Sequence, residues 1–252
     1  MQLDGAVAMR ILLAVVLFLG LAGQSAAQDF DVDLELVLLA DATGSIDDAE
    51  IRFQREGYAN AITHPDVLSA IRQTGNGRIA ITYVEWANAA SQQIVVGWTV
   101  IDGEASAQKF AAELLAQPRL AYGSNAIGAA LLFGKKLIET NELRGLRRVI
   151  DLSADSANNW SGPPIMAARD EVLAAGITIN GLAILCRNCN GRPVSYDLEA
   201  AFTQQIIGGA GSFVVTADSE ATFAQAVRRK LILEIAQLTG DDAAGGPYTV
   251  RR

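Results

Sequence analysis

The chain has 252 residues, 50% of them hydrophobic and 19% charged, with a formal net charge of −8 and a single histidine. That length and apolar content suit one large domain with a full core. The acidic balance, with few basic clusters, argues against nucleic acid as a partner.

The N-terminus reads as a secretory signal. Residues 11–21 form an apolar run behind Arg10, and Ala22-Gly23-Gln24-Ser25-Ala26-Ala27 offers small residues for cleavage after Ala27. The run is shorter than the roughly 20 apolar residues of a membrane span. A retained anchor is the competing reading, and Met9 is an alternative start that leaves Asp4 out of the signal. The expected organisation is a signal peptide over 1–27, one domain over 28–238 and a disordered tail over 239–252, where Gly240 to Pro247 lacks periodicity. The mature protein is expected to be exported, to a periplasm or beyond, with no membrane span.

The first strand is expected over 33–40. Leu36 to Ala40 has almost no polar break, as in a strand buried on both faces of a parallel sheet. The strand runs into Asp41-Ala42-Thr43-Gly44-Ser45. Asp41, Thr43 and Ser45 therefore arrive at its carboxyl end, where open α/β sheets bind ligands. A carboxylate and two hydroxyls on one tight loop offer only oxygen, which suits a hard cation such as Mg2+. The plainer alternative is a turn made by Asp41 and Thr43, with Ser45 capping the next helix and Asp48 completing a capping box. Ser45 can do both.

A helix follows over 46–62, with Ala49, Phe53, Gly57 and Ala61 on its expected buried face. His64-Pro65 ends it, and His64 reads as an exposed turn residue. A short helix covers 65–71. Residues 78–86 and 92–100 are both strand-like, and five residues cannot hold a crossover helix, so they form an antiparallel hairpin. Helices are then expected over 102–116, 125–139, 163–175, 195–207 and 219–238, and strands over 149–153, 177–185 and 212–216. The fold class is α/β: a doubly wound, mainly parallel sheet with helices on both faces, the first strand central and the strand from Gln92 at an antiparallel edge. Cys186 and Cys189 stand three apart. A disulfide closing that loop is the expected state in an exported chain. Zinc would need about four soft ligands, and a redox motif should open a helix, whereas Gly191 and Pro193 follow.

Three segments together resemble the metal-ion-dependent adhesion site of von Willebrand factor type A domains. Asp41-Ala42-Thr43-Gly44-Ser45 is similar to Asp-x-Ser-x-Ser, with Thr43 keeping the hydroxyl. Gly123-Ser124-Asn125, before a helix opening with Gly128, Ala129 and Ala130, resembles the second metal loop, with Ser124 in place of threonine. Those small residues are expected to let the helix approach the sheet closely. Val149 to Ser156 resembles the strand ending in the third-loop acid, and Asp155 is the choice for it. Asp151 is the rival, but it sits inside the strand, where an acid needs a partner such as Arg147 or Arg148.

The resemblance implies a site for Mg2+ or Mn2+ held by Asp41, Thr43, Ser45, Ser124 and Asp155. The hydroxyls would bind directly and the acids largely through water. One open coordination position would take an Asp or Glu from a partner protein, with Asn158, Asn159 and Trp160 as candidate partner contacts. A binding module rather than an enzyme is therefore expected. The sequence has no phosphate-binding Gly-Lys-Ser/Thr loop and no Gly-x-Ser-x-Gly elbow. A hydrolase using Asp41 would want a second acid and a catalytic lysine, and Lys135 and Lys136 lie well down a helix. A metal-free scaffold for assembly is the remaining alternative.

Overall fold

The computed structural model describes residues 30–185, 196–217 and 220–236. The signal segment, the tail and the Cys186/Cys189 pair lie outside the described residues. In chain order the elements are β1 (Phe30–Asp41), α1 (Asp48–Ile62), α2 (Pro65–Arg72), β2 (Ile79–Trp86), β3 (Gln92–Ile101), α3 (Glu104–Ala116), α4 (Ile127–Glu139) and β4 (Leu143–Ala154). They continue with α5 (Ile165–Ala174), β5 (Thr178–Ile184), α6 (Leu198–Ala201), β6 (Val214–Ala217) and α7 (Glu220–Ala236).

The strands form one sheet in the order β3-β2-β1-β4-β5-β6. Among the described strands only β2 and β3 pair antiparallel; the other pairs are parallel. β1 is central because both its faces are apolar. Leu34, Leu36, Leu38 and Ala40 pack into a layer with Tyr58 of α1, Phe110 of α3 and Val227 of α7. Val37 and Leu39 point the other way, to Ile127 and Leu131 of α4 and Val172 of α5. The period of two puts alternate residues on opposite faces, so an unbroken apolar run serves two cores at once. The expected fold class, central strand and antiparallel edge are all present.

Several boundaries move, each for a local reason. β4 starts at Leu143, six residues before the expected Val149, and pairs with β1 from Phe30↔Leu143 to Ala40↔Ser153. Arg144, Arg147 and Arg148 disguise its first half. α1 begins two residues later than expected, because Asp47 is its N-cap: Asp47 accepts from the N–H groups of Ala49 and Glu50, and Glu50 accepts from the Asp47 N–H. Ser45 is therefore not the cap, and Asp48 is not the box residue. The buried face of α1 keeps Gly57 and Ala61, with Phe53 packed against the core, but it is wider than expected. Ala49 is exposed, while Gln54, Arg55, Tyr58 and Ala59 are also buried, since the helix packs on α3 and α7 as well as on the sheet. The expected helix over 195–207 is described as α6 followed by a π-helical turn over Phe202–Ile206.

His64 is a cap rather than a bare turn residue. Its Nδ1 accepts from the Asp66 N–H at the start of α2, and Nε2 meets Arg228 at 2.8 Å. Asp151 has neither expected arginine as its partner. It pairs with Lys230 of α7 at 2.7 Å, and Lys230 also meets Glu234 at 2.5 Å, all three fully buried. Burial pushes the Asp151 carboxyl up to about 7, against the pull of Lys230. That network pins α7 to the sheet and removes Asp151 from the carboxyl edge.

Candidate metal site

In the strand order, the crevice between β1 and β4 is where the connections turn to opposite sides, the usual ligand position in an open α/β sheet. Ala40 of β1 lies beside Ser153 of β4. One residue past Ala40 is Asp41, and two past Ser153 is Asp155, so the register brings the two acids to one edge.

Asp41 is fully buried, and its Oδ1 accepts from the Thr43 N–H at 2.8 Å. Its Oδ2 is buried and makes no well-formed hydrogen bond. The Gln54 amide donates to the Asp41 carbonyl at 3.2 Å, fixing the backbone there. Because Asp47 caps α1, the Ser45 hydroxyl is left to the loop. It lies 3.1 Å from the Thr43 hydroxyl and hydrogen-bonds to Asp155. Thus Asp41, Thr43, Ser45 and Asp155 converge.

The loop that carries Ser124 is tied to the other two through its neighbours. The carbonyl of Gly123 accepts from the Gly44 N–H at 2.8 Å, tying the second loop to the first. Asn125 donates to Ser156 at 3.0 Å and its carbonyl accepts from Trp160, tying the second loop to the third. Ser124 is itself exposed. Gly123 has φ +130, and a Cβ there would stand 2.5 Å from the Asn88 side chain, so both conformation and space call for glycine. Gly128 does not face the sheet as expected. A Cβ there would sit 2.1 Å from the Pro163 carbonyl, so it admits the third loop instead.

The electrostatics are unsatisfied. Burial, and then the charge of Asp155, push the Asp41 carboxyl up to about 7, while the N–H and hydroxyl of Thr43 and the Asp155 N–H pull the other way. Asp155 is also raised by burial, opposed by the Ser45 hydroxyl. Among the described residues no cationic side chain pairs with either acid, and no group of three or more His, Cys, Asp or Glu gathers around a metal position. The donor set is two carboxylates and hydroxyls. A buried carboxylate without a counter-charge, beside a second acid and two hydroxyls, fits a small oxygen-loving cation.

Asn159 of the third loop is structural. It accepts from the Gly128 N–H at 3.1 Å, where α4 starts, and donates to the Pro163 carbonyl. Asn158 is exposed, and Trp160 is 71% exposed. Two features escaped the sequence reading. Arg119, in the segment 117–120, reaches the carbonyls of Ala42 and Thr43 in the first loop. Arg55 and Glu85 form a buried ion pair at 2.6 Å; Arg55 donates to the carbonyls of Gln117 and Pro118, and Glu85 accepts from the Leu120 N–H. An acid inside the apolar run Ile79–Trp86 was the available signal, since it needs a buried partner.

Comparison with solved structures gives the same fold. Proximal thread matrix protein 1 of the mussel byssus aligns with TM-score 0.57 and 14% identity over 82% of this chain and 47% of that one. That protein has also been solved with zinc in its MIDAS motif, with TM-score 0.57 and 16% identity over 82% of this chain and 49% of that one. The vWF domain of the type V pili tip protein Mfa5 from Porphyromonas gingivalis aligns with TM-score 0.53 and 11% identity, over 86% of this chain and 98% of that one. BatB from Bacteroides thetaiotaomicron gives 0.51 and 14%, over 81% and 98%. This chain spans less than half of the mussel protein's length. At such identities the likeness shows the fold, which is that of a von Willebrand factor type A domain. No curated protein matches the sequence. The family model described as "Protein of unknown function (DUF1194)" matches residues 31–239, nearly the whole described domain, and the chain belongs to that family.

Proposed function

We propose that the protein is an exported binding module that holds Mg2+ or Mn2+ at the carboxyl edge of its sheet and uses the ion to capture an Asp or Glu of a partner protein. The observation that carries this is Asp41: a fully buried carboxylate with no cationic partner among the described residues, facing a second acid and two hydroxyls. Thr43, Ser45 and Ser124 would hold the ion through their hydroxyls, and Asp41 and Asp155 would balance its charge, largely through water. A bound cation supplies a positive field open to an outside carboxylate. Hydroxyl donors leave that field strong, because they add no charge of their own.

Binding rather than catalysis is favoured by what lies nearby. His64 caps α2, which begins where α1 has run back from the carboxyl edge. Trp160 at 71% exposed and Tyr122 at 58% exposed stand on the loops around the site, and such rings are frequent anchors in protein interfaces. The leader over 1–27, the domain over 28–238 and the Cys186–Cys189 disulfide belong to the same reading of an exported protein. No described helix is long and apolar enough to cross a membrane.

The test is capture from the native envelope by crosslinking, with Mg2+ and with EDTA, using wild type and Asp41→Asn. Partners retained by wild type in Mg2+ should be lost in EDTA and in Asp41→Asn. Equal capture under all conditions would favour the metal-free scaffold.

A further inference from the structure

We infer that Arg119 is a positioning residue that sets the cation affinity of the site by holding the first loop from behind; this rests on the metal reading above. Its guanidinium makes five hydrogen bonds, the full donor count of the group. Nε donates to the Ala121 carbonyl at 3.1 Å. One terminal nitrogen donates to the Ile46 carbonyl at 2.9 Å and to the Asp48 carboxylate at 3.2 Å. The other donates to the carbonyls of Ala42 at 2.6 Å and Thr43 at 3.1 Å. The side chain is only 11% exposed, and the Tyr122 ring lies 4.7 Å from the guanidinium carbon.

The consequence for the site is geometric. Arg119 takes up the carbonyls of Ala42, Thr43 and Ile46, which bracket Thr43 and Ser45. With those carbonyls fixed on one side, the Thr43 N–H stays on Asp41 and the two hydroxyls stay together at 3.1 Å. The hydroxyls are then arranged before any ion arrives, and binding costs less ordering of the loop. Arg119 is itself held in place. The buried Arg55–Glu85 pair anchors the backbone of Gln117, Pro118 and Leu120 on either side of it. A lysine offers three donors on a flexible stem and cannot serve four carbonyls and a carboxylate at once.

The experiment is calorimetric titration of Mg2+ into the metal-free full-length mature protein. Wild type, Arg119→Lys, Arg119→Ala and Asp47→Ala would be compared, with urea unfolding of each in EDTA. Asp47→Ala is the control for general weakening, because it removes the α1 cap but no bond of Arg119. We expect Arg119→Ala to bind Mg2+ at least tenfold more weakly and Arg119→Lys to be intermediate. Methylguanidinium at low millimolar concentration should restore part of the affinity of Arg119→Ala and leave Asp47→Ala unchanged. Should Arg119→Ala not fold, faster amide exchange of residues 42–46 in Arg119→Lys, reversed by Mg2+, carries the same inference. Wild-type affinity in folded Arg119 variants overturns it and leaves the metal reading standing. Weakening matched by Asp47→Ala and not rescued by methylguanidinium also overturns it, making Arg119 a general stabiliser. Absence of Mg2+ binding by wild type ends both.

Discussion

Asp41 couples the metal-free stability of the protein to pH. Its carboxyl is raised from 3.8 to about 7, chiefly by burial. Between those values the folded state holds more protons than the unfolded chain, so metal-free stability falls as pH rises from about 4 to about 7 and then levels off. Asp151 is raised to about 7 as well and contributes with the same sign. Asp41→Asn keeps an acceptor for the Thr43 N–H and removes the buried charge. In EDTA at pH 8 it should therefore be more stable than wild type, by on the order of 1–3 kcal/mol, and close to wild type at pH 4.5. Urea unfolding at the two pH values measures this. A variant less stable than wild type at pH 8 would mean that Asp41 already has a counter-charge.

Among the elements, the junction of β1 with α1 divides stability from binding. Asp47 carries the helix cap and Ser45 the loop hydroxyl, two residues apart. Asp47→Ala should cost about 0.5–2 kcal/mol in stability and leave Mg2+ affinity near wild type. Ser45→Ala should do the reverse, with less than about 0.5 kcal/mol lost and the metal bound much more weakly. Thermal unfolding with and without Mg2+ separates the two, since a ligand raises the melting temperature only of a protein that binds it. Identical behaviour of the pair would return Ser45 to a capping role. The signal for the true cap was already in the sequence, as Asp47 with Glu50 three residues on, but Ser45 with Asp48 offered the same spacing.

For the whole molecule, the sheet was legible because its central strand is apolar on both faces and its hairpin link is too short for a helix. The acids of the site were legible by counting to strand ends, which chose Asp155 over Asp151. What stayed hidden depends on contacts distant in sequence. Arg119 meets carbonyls more than seventy residues away, and beside Pro118 it looks like an ordinary surface charge. Lys230 of the last helix, the actual partner of Asp151, gives no local hint either. Three loops from remote parts of the chain thus meet at one edge, and the proposed function requires a single divalent cation among them. Crystals grown with Mn2+ and measured for anomalous scattering test it most directly. One strong peak is expected about 2–2.5 Å from the Thr43 and Ser45 hydroxyl oxygens, absent in Asp41→Asn. No peak at that edge in well-ordered wild-type crystals, with Asp41 still buried and without a counter-charge, would rule it out.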